Sequence, residues 1–144
     1  MSYTPIYYAD MYVIGGGVST TITTAGTFYP VASGFSNTVA KGFTFSSNST
    51  LTCNVAGTYR IVWSMSIETA STSQGLLGGI MKNATVAANG QGYDFQSTAN
   101  FPVTVCGSLF VTLAVNDTLK FAVTDATSAK PVITTYASLT ILEV

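Results

Sequence analysis

LTCNVAGTYRIVWSMSIE, residues Leu51 to Glu68, carries the clearest strand pattern of the chain. It opens as a short strand-like run that stops at Ala56-Gly57, then continues as a long alternating one. Successive side chains of a strand point to opposite sides, so Tyr59, Ile61, Trp63, Met65 and Ile67 share one face, and Arg60, Val62, Ser64, Ser66 and Glu68 the other. The first face is large and apolar and carries the chain's single tryptophan. The second mixes a lone cation with a valine and small hydroxyl residues, and what it meets is the question the stretch poses.

The same two-residue period recurs in SLFVTLAV, where Leu109, Val111, Leu113 and Val115 fall together, and again in TLKFAV and SLTILEV. No stretch of a dozen residues repeats apolar positions at helical spacing, and Gly, Thr, Ser and Val occupy the places a helix gives to Ala, Glu, Lys and Leu. Turn signals separate the runs: Gly15-Gly16-Gly17, Ala25-Gly26, Ser33-Gly34, Asn89-Gly90, Asn116-Asp117 and Ala129-Lys130-Pro131. The pattern predicts roughly eight to ten strands in an all-β sandwich or jelly roll. No linker or internal repeat interrupts it. The expectation is a single domain over 1–144, with 1–14 as an N-terminal strand and docking segment.

Charged residues make up 8% of the 144-residue chain and hydrophobic ones 47%, with a mean hydropathy of +0.42. Ordinary soluble domains carry about 25% charge. So large a deficit implies a surface built from Ser, Thr, Asn and Gly, a surface partly covered by other subunits, or both. No run reaches the ~18 continuous apolar residues of a membrane helix. Lys41, Arg60, Lys82, Lys120 and Lys130 are scattered singly in a chain of net charge −1, so no basic patch favours nucleic acid. The opening MSYTPIYYADMYV lacks the basic start, apolar middle and cleavage site of a secretory signal, as expected of a mature chain or one made in the cytoplasm.

Four segments carry a likeness to a known family. STLTCNVAGTYRIVWSMS resembles the signature of complement 1q-like globular heads in the tumour necrosis factor-like superfamily, with Leu51-Thr52-Cys53 for its first part and Gly57, Tyr59, Ile61 and Trp63 for its second. GIMKNATVA is similar to the family's Lys-Asn-Gly hairpin, GSLFVTLAVNDTLKFAV to its long strand, Gly-Asp turn and next strand, and TYASLTILEV to its closing strand. They follow in family order over about two thirds of the chain. Asn116-Asp117 stands for Gly-Asp, Ala84 for the hairpin glycine, and Ile61 and Trp63 for Phe and Tyr. YADMYVIGGGVSTTITTAGTFYPVAS is more similar to the openings of tailed-bacteriophage virion proteins.

The resemblance implies a two-sheet antiparallel jelly roll that assembles as a homotrimer. Arg60, Val62 and Ser64 would then face the neighbouring subunit, and Cys106, Val111 and Tyr136 would lie near the threefold axis. An Arg60 covered in this way needs a partner, for which Glu143 or Asp117 is expected. The alternative is an ordinary solvent-facing arginine.

Catalytic chemistry has little to work with. The chain has no histidine, which removes the commonest general base and metal ligand. The carboxylates Asp10, Glu68, Asp94, Asp117, Asp125 and Glu143 are spaced singly, without the pattern of a calcium loop or a carboxylate pair. Cys53 and Cys106 lack a C-x-x-C spacing and are expected to be buried free thiols. Asn-x-Ser/Thr occurs at Asn48, Asn83 and Asn116, as chance allows in so Asn-, Ser- and Thr-rich a chain. The triple glycine lacks the context of a phosphate loop and is expected to be a flexible turn. Tyr3, Tyr7, Tyr8 and Tyr12 are either a contact surface or the packing that ties down the first strand.

The expectation is therefore not an enzyme, with no metal or cofactor, but a viral structural protein: a trimeric capsid cement or decoration protein that stabilises the shell. It would dock on the major capsid protein or another virion protein through Tyr3, Tyr7, Tyr8 and Tyr12, and be assembled in the host cytoplasm into the virion. Neither nucleic acid nor membrane is an expected partner. A first alternative is a receptor- or glycan-binding head of a phage fibre or tail tip, using Tyr93, Phe95 and Phe101 on outer loops. A second is a secreted complement 1q-like binding protein.

Overall fold

A computed structural model describes residues 6–144, which leaves Tyr3 outside the described residues. The alternating runs become two facing sheets, antiparallel at every pairing. One sheet has five strands: β1 (Tyr8–Thr20), β3 (Ala40–Lys41), β6 (Gly57–Glu68), β10 (Val103–Leu113) and β12 (Val132–Glu143), in the order β10-β6-β12-β1-β3. The other has seven. Its main path is β4 (Phe43–Ser46), β5 (Thr50–Cys53), β11 (Thr118–Asp125), β7 (Gln74–Lys82) and β8 (Thr85–Val86), with β2 (Tyr29–Pro30) on β11 and β9 (Gly92–Gln96) on β7. Three of the twelve strands among the described residues are two-residue pairings, and the other nine match the expected number.

The core lies between the sheets. Tyr59, Ile61, Trp63, Met65 and Ile67 of β6 are all buried, against Leu76 and Ile80 of β7 and Leu119 and Phe121 of β11. Trp63 meets Phe121 edge-on, with ring centres 6.1 Å apart, and its indole N–H donates to the Gly90 carbonyl at 2.9 Å. A Cβ on Gly78 would lie 2.9 Å from Val105 Cγ2 and 3.2 Å from both Met65 Sδ and the Trp63 ring. The absent side chain on β7 makes room for the large one on β6. Tyr59 closes the other end of the row, donating to the Val55 carbonyl at 2.6 Å.

Two expectations of local structure are corrected. Gly15-Gly16-Gly17 is no turn but a bulge inside β1: Ile14 pairs with Tyr136 and Val18 with Thr134, so three residues stand opposite Thr135 alone. Gly15 and Gly17 adopt φ of 64° and 59°, where a side chain is disfavoured. Tyr93 and Phe95, expected on an outer loop, stand instead on strand β9, where GYDFQ pairs with β7. Asparagine takes the left-handed backbone conformation in two turns, at Asn116, where the family pattern has glycine, and at Asn83, the residue before the Ala84 that stands for the other glycine. Asn83 and Asn116 hold φ of 55° and 74°, which a short polar side chain tolerates.

Candidate functional site: the outward face of the five-stranded sheet

Register builds this face from four rows. Phe110, Arg60, Leu142 and Tyr8 stand side by side across β10, β6, β12 and β1, followed by Ser108, Val62, Thr140 and Asp10. The third row is Cys106, Ser64, Ser138 and Tyr12, and the fourth Thr104, Ser66, Tyr136 and Ile14. Every position points away from the core by the alternation that buries its neighbours. Phe110, Val62, Leu142, Tyr136, Ile14 and Tyr8 are exposed large apolar side chains, a concentration that on soluble proteins marks an interaction surface. Within these four rows only Arg60 and Asp10 are charged, and at the margins Lys41 of β3 lies beside Tyr8 and Glu68 follows Ser66 on β6.

The face also has relief. A hollow of about 320 Å³ lies over the third and fourth rows, lined by Tyr12, Ile14, Ser64, Ser66, Thr104, Tyr136 and Ser138. It exists because β6 and β12 carry serines there, between larger tyrosines on β1 and β12.

Of the residues expected at a subunit contact, Arg60, Val62, Cys106 and Tyr136 all lie on this face. Val111 does not: it is on the inward row of β10 with Leu109 and Leu113, half-buried against the core. Its neighbour Phe110, 61% exposed, holds the outward position. The strict alternation of SLFVTLAV already implied this, since a row containing Leu109 and Leu113 cannot also face outward. Leu142, outward between buried Ile141 and half-buried Glu143, was legible in the same way. Of the two cysteines, Cys53 is buried as expected and Cys106 is exposed; they are unpaired.

The expected partners of Arg60 are engaged elsewhere within the chain. Asp117 accepts the Ala114 backbone N–H at 2.8 Å and the Asn83 amide at 3.1 Å, and lies 3.5 Å from Lys82 Nζ. The Ala114 hydrogen bond, ahead of Asn83 and Lys82, holds its carboxyl below the ordinary value. Glu143 accepts the Tyr7 backbone N–H at 3.1 Å. Lys82–Asp117 is the one ion pair among the described residues, and Arg60 has none.

The tyrosines of the N-terminal segment divide. Tyr7 is half-buried over Gly42, where a Cβ would meet its ring carbons at 2.6–2.9 Å, so it serves to tie down the strand. Tyr8 and Tyr12 belong to the outward face. Asp10 anchors the following loop through Thr38 N–H at 2.8 Å, Val39 N–H at 3.0 Å and the Asn37 amide at 3.2 Å. Tyr93 and Phe95 stand on β9 on the side of the seven-stranded sheet away from the core, both exposed, with Tyr93 against Gly75. Phe101 is exposed in the loop after β9.

Among the described residues no group of three or more Cys, Asp or Glu side chains converges. Burial pushes the Cys53 thiol up and the Tyr59 phenol up to about 12. Both belong to the core rather than to a reactive centre.

No protein-family model and no curated protein matches the sequence. Solved structures do match the fold. The Eiger TNF of S. frugiperda superposes with a TM-score of 0.67 at 11% identity, covering 98% of this chain and 94% of that one. The globular domain of the zebrafish complement 1qA protein gives 0.63 at 15% identity, over 97% and 98%. The PRD1 vertex protein P5 gives 0.56 at 16% identity, over 96% of each chain. The chain thus has the tumour necrosis factor-like jelly-roll fold that its sequence resembles.

Proposed function

We propose that this chain is a self-associating structural protein of a virus particle, a trimer whose copies meet across the outward face of the five-stranded sheet and which binds and stabilises the capsid shell. The observation that carries the reading is that face: exposed Phe110, Val62, Leu142, Tyr136 and Ile14 on a chain with 8% charge. Charge depletion with aromatic enrichment is the composition of an interface centre. A virion setting is supported by the shared fold of a vertex protein, P5 of PRD1. A cement stabilises a shell by linkage, since its contacts exist only in the assembled state.

The surface that docks on the shell is the N-terminal segment at the end of the face, where Tyr8 is exposed together with Ile6. The test is heat-induced genome release from particles with and without the protein. Stabilisation that returns on adding the purified protein supports the role, and identical release curves refute it. A second reading, a ligand-binding head, is favoured by exposed Tyr93 and Phe95 on the opposite side of the sandwich. Glycan binding lost in Phe95→Ala, with assembly intact, would establish it.

A further inference from the structure

One wall of the hollow on the outward face is itself a large exposed ring, that of Tyr136. Both ladders flanking β12 shift register around Thr135: β1 takes up its three glycines between Ile14 and Val18, and β6 has no partner for Thr135, whose hydroxyl instead donates to the Ser66 carbonyl at 3.2 Å. Bulges re-aim the side chains next to them. Tyr136, the residue after the bulge, is 54% exposed, and its hydroxyl comes within 3.7 Å of where a Gly15 Cβ would stand. The glycine bulge gives the ring its place.

Ring and hollow lie at one level along the strands, because Tyr136 is the register partner of Ser66 and Ser138 that of Ser64. Copies in a closed ring are related by rotation without translation, so for an axis along the strands a residue meets its neighbour's surface at its own level. The two rows lining the hollow contain no charged residue, so covering them strands no ion.

Resting on the self-association proposed above, we infer that the hollow over Ser64, Ser66 and Thr104 is a socket for a second copy of this chain, filled by the neighbour's Tyr136. Each copy donates one ring and receives one, and the contact is head-to-tail, the kind that closes a ring. Serine at 64, 66 and 138 is then a requirement of shape rather than of polarity.

A bump-and-hole series on the full chain tests this, with mass read by size exclusion with light scattering and folding by far-ultraviolet circular dichroism. Ser66→Ala is expected to keep the wild-type mass, Ser66→Trp to reduce it to one chain with the β spectrum intact, and Ser66→Trp with Tyr136→Ala to restore the assembly. A Ser66→Trp protein that keeps the mass and melting temperature of an associated wild type overturns the socket and leaves the self-association standing. A wild type that is itself a single chain overturns both.

Should Ser66→Trp misfold, a cysteine pair decides. Tyr136→Cys with Thr104→Cys, in a Cys106→Ser background, places thiols two strand spacings apart, about 10 Å within one chain, beyond disulfide reach. Oxidation to covalent dimers and trimers on a non-reducing gel supports the socket. Monomers alone, from a protein that light scattering shows to be associated, refute it.

Discussion

Tyr59 and Trp63 show how far one side chain's chemistry is set by the strand it stands on. Both are large, both face inward from β6, and each sends its single polar atom to a backbone carbonyl at the sandwich rim, Val55 and Gly90. Burial raises the Tyr59 phenol from its ordinary 10.0 to about 12. A folded-state value above the unfolded one means the contribution is complete below pH 10 and is lost as the pH rises through about 12. Tyr59→Phe is accordingly expected to lose about 1 kcal/mol near neutrality, for the missing hydrogen bond, yet to show a shallower fall in stability above pH 10. Urea unfolding at pH 7 and pH 10.5 checks both parts. Inward residues of this kind were legible in the sequence, because alternation alone sorts them. Phe110 was legible too, from buried Leu109 and Leu113 on either side, whereas the placement of Val111 at an axis came from family likeness and failed against the pleat.

Elements were harder to read where glycine was involved. A run of three glycines signals a break, but a bulge and a turn share that signal, and only the pairing of β1 with β12 on both sides of it separates them. Strand β9 was hidden among Asn, Gly and Gln for a related reason: its pairing is decided by β7, across the two-residue β8 and a loop, and not by its own residues. Gly78 is a clearer case of an element shaped from across the core. No local signal marks it as anything but a weak strand residue, yet β7 can approach β6 only because Trp63 and Met65 occupy the space its side chain would take. Gly78→Ala is expected to destabilise the protein by about 1–3 kcal/mol through overpacking. A Trp63→Phe background should recover part of the loss, and equilibrium denaturation of the three variants measures it. Equal losses in both backgrounds would argue against that contact.

At the scale of the whole molecule, the charge deficit and the four-row face belong together. A sheet with one side in a core and the other in water normally alternates apolar with polar residues, and on ordinary soluble domains many of those are charged. Here the outward rows of β6 and β12 offer serine, threonine, valine and leucine, and the one cation among them, Arg60, has no ion-pair partner among the described residues. The composition was visible in the sequence, and so was the fold class. The shape of the face was not, since it depends on two bulges and on four strands far apart in sequence. Tyr136→Asp is expected to give a folded single chain, because a ring of copies would crowd carboxylates where no cation lies near. A Tyr136→Asp protein that kept its assembly would remove Tyr136 from the contact. The most direct test of the central claim is size exclusion with light scattering on the unaltered chain. A trimer would run at about 45 kDa, three chains of 15.0 kDa, and is expected to persist on dilution to low micromolar concentration. A stable particle of 15.0 kDa, soluble with its apolar face uncovered, would contradict that claim.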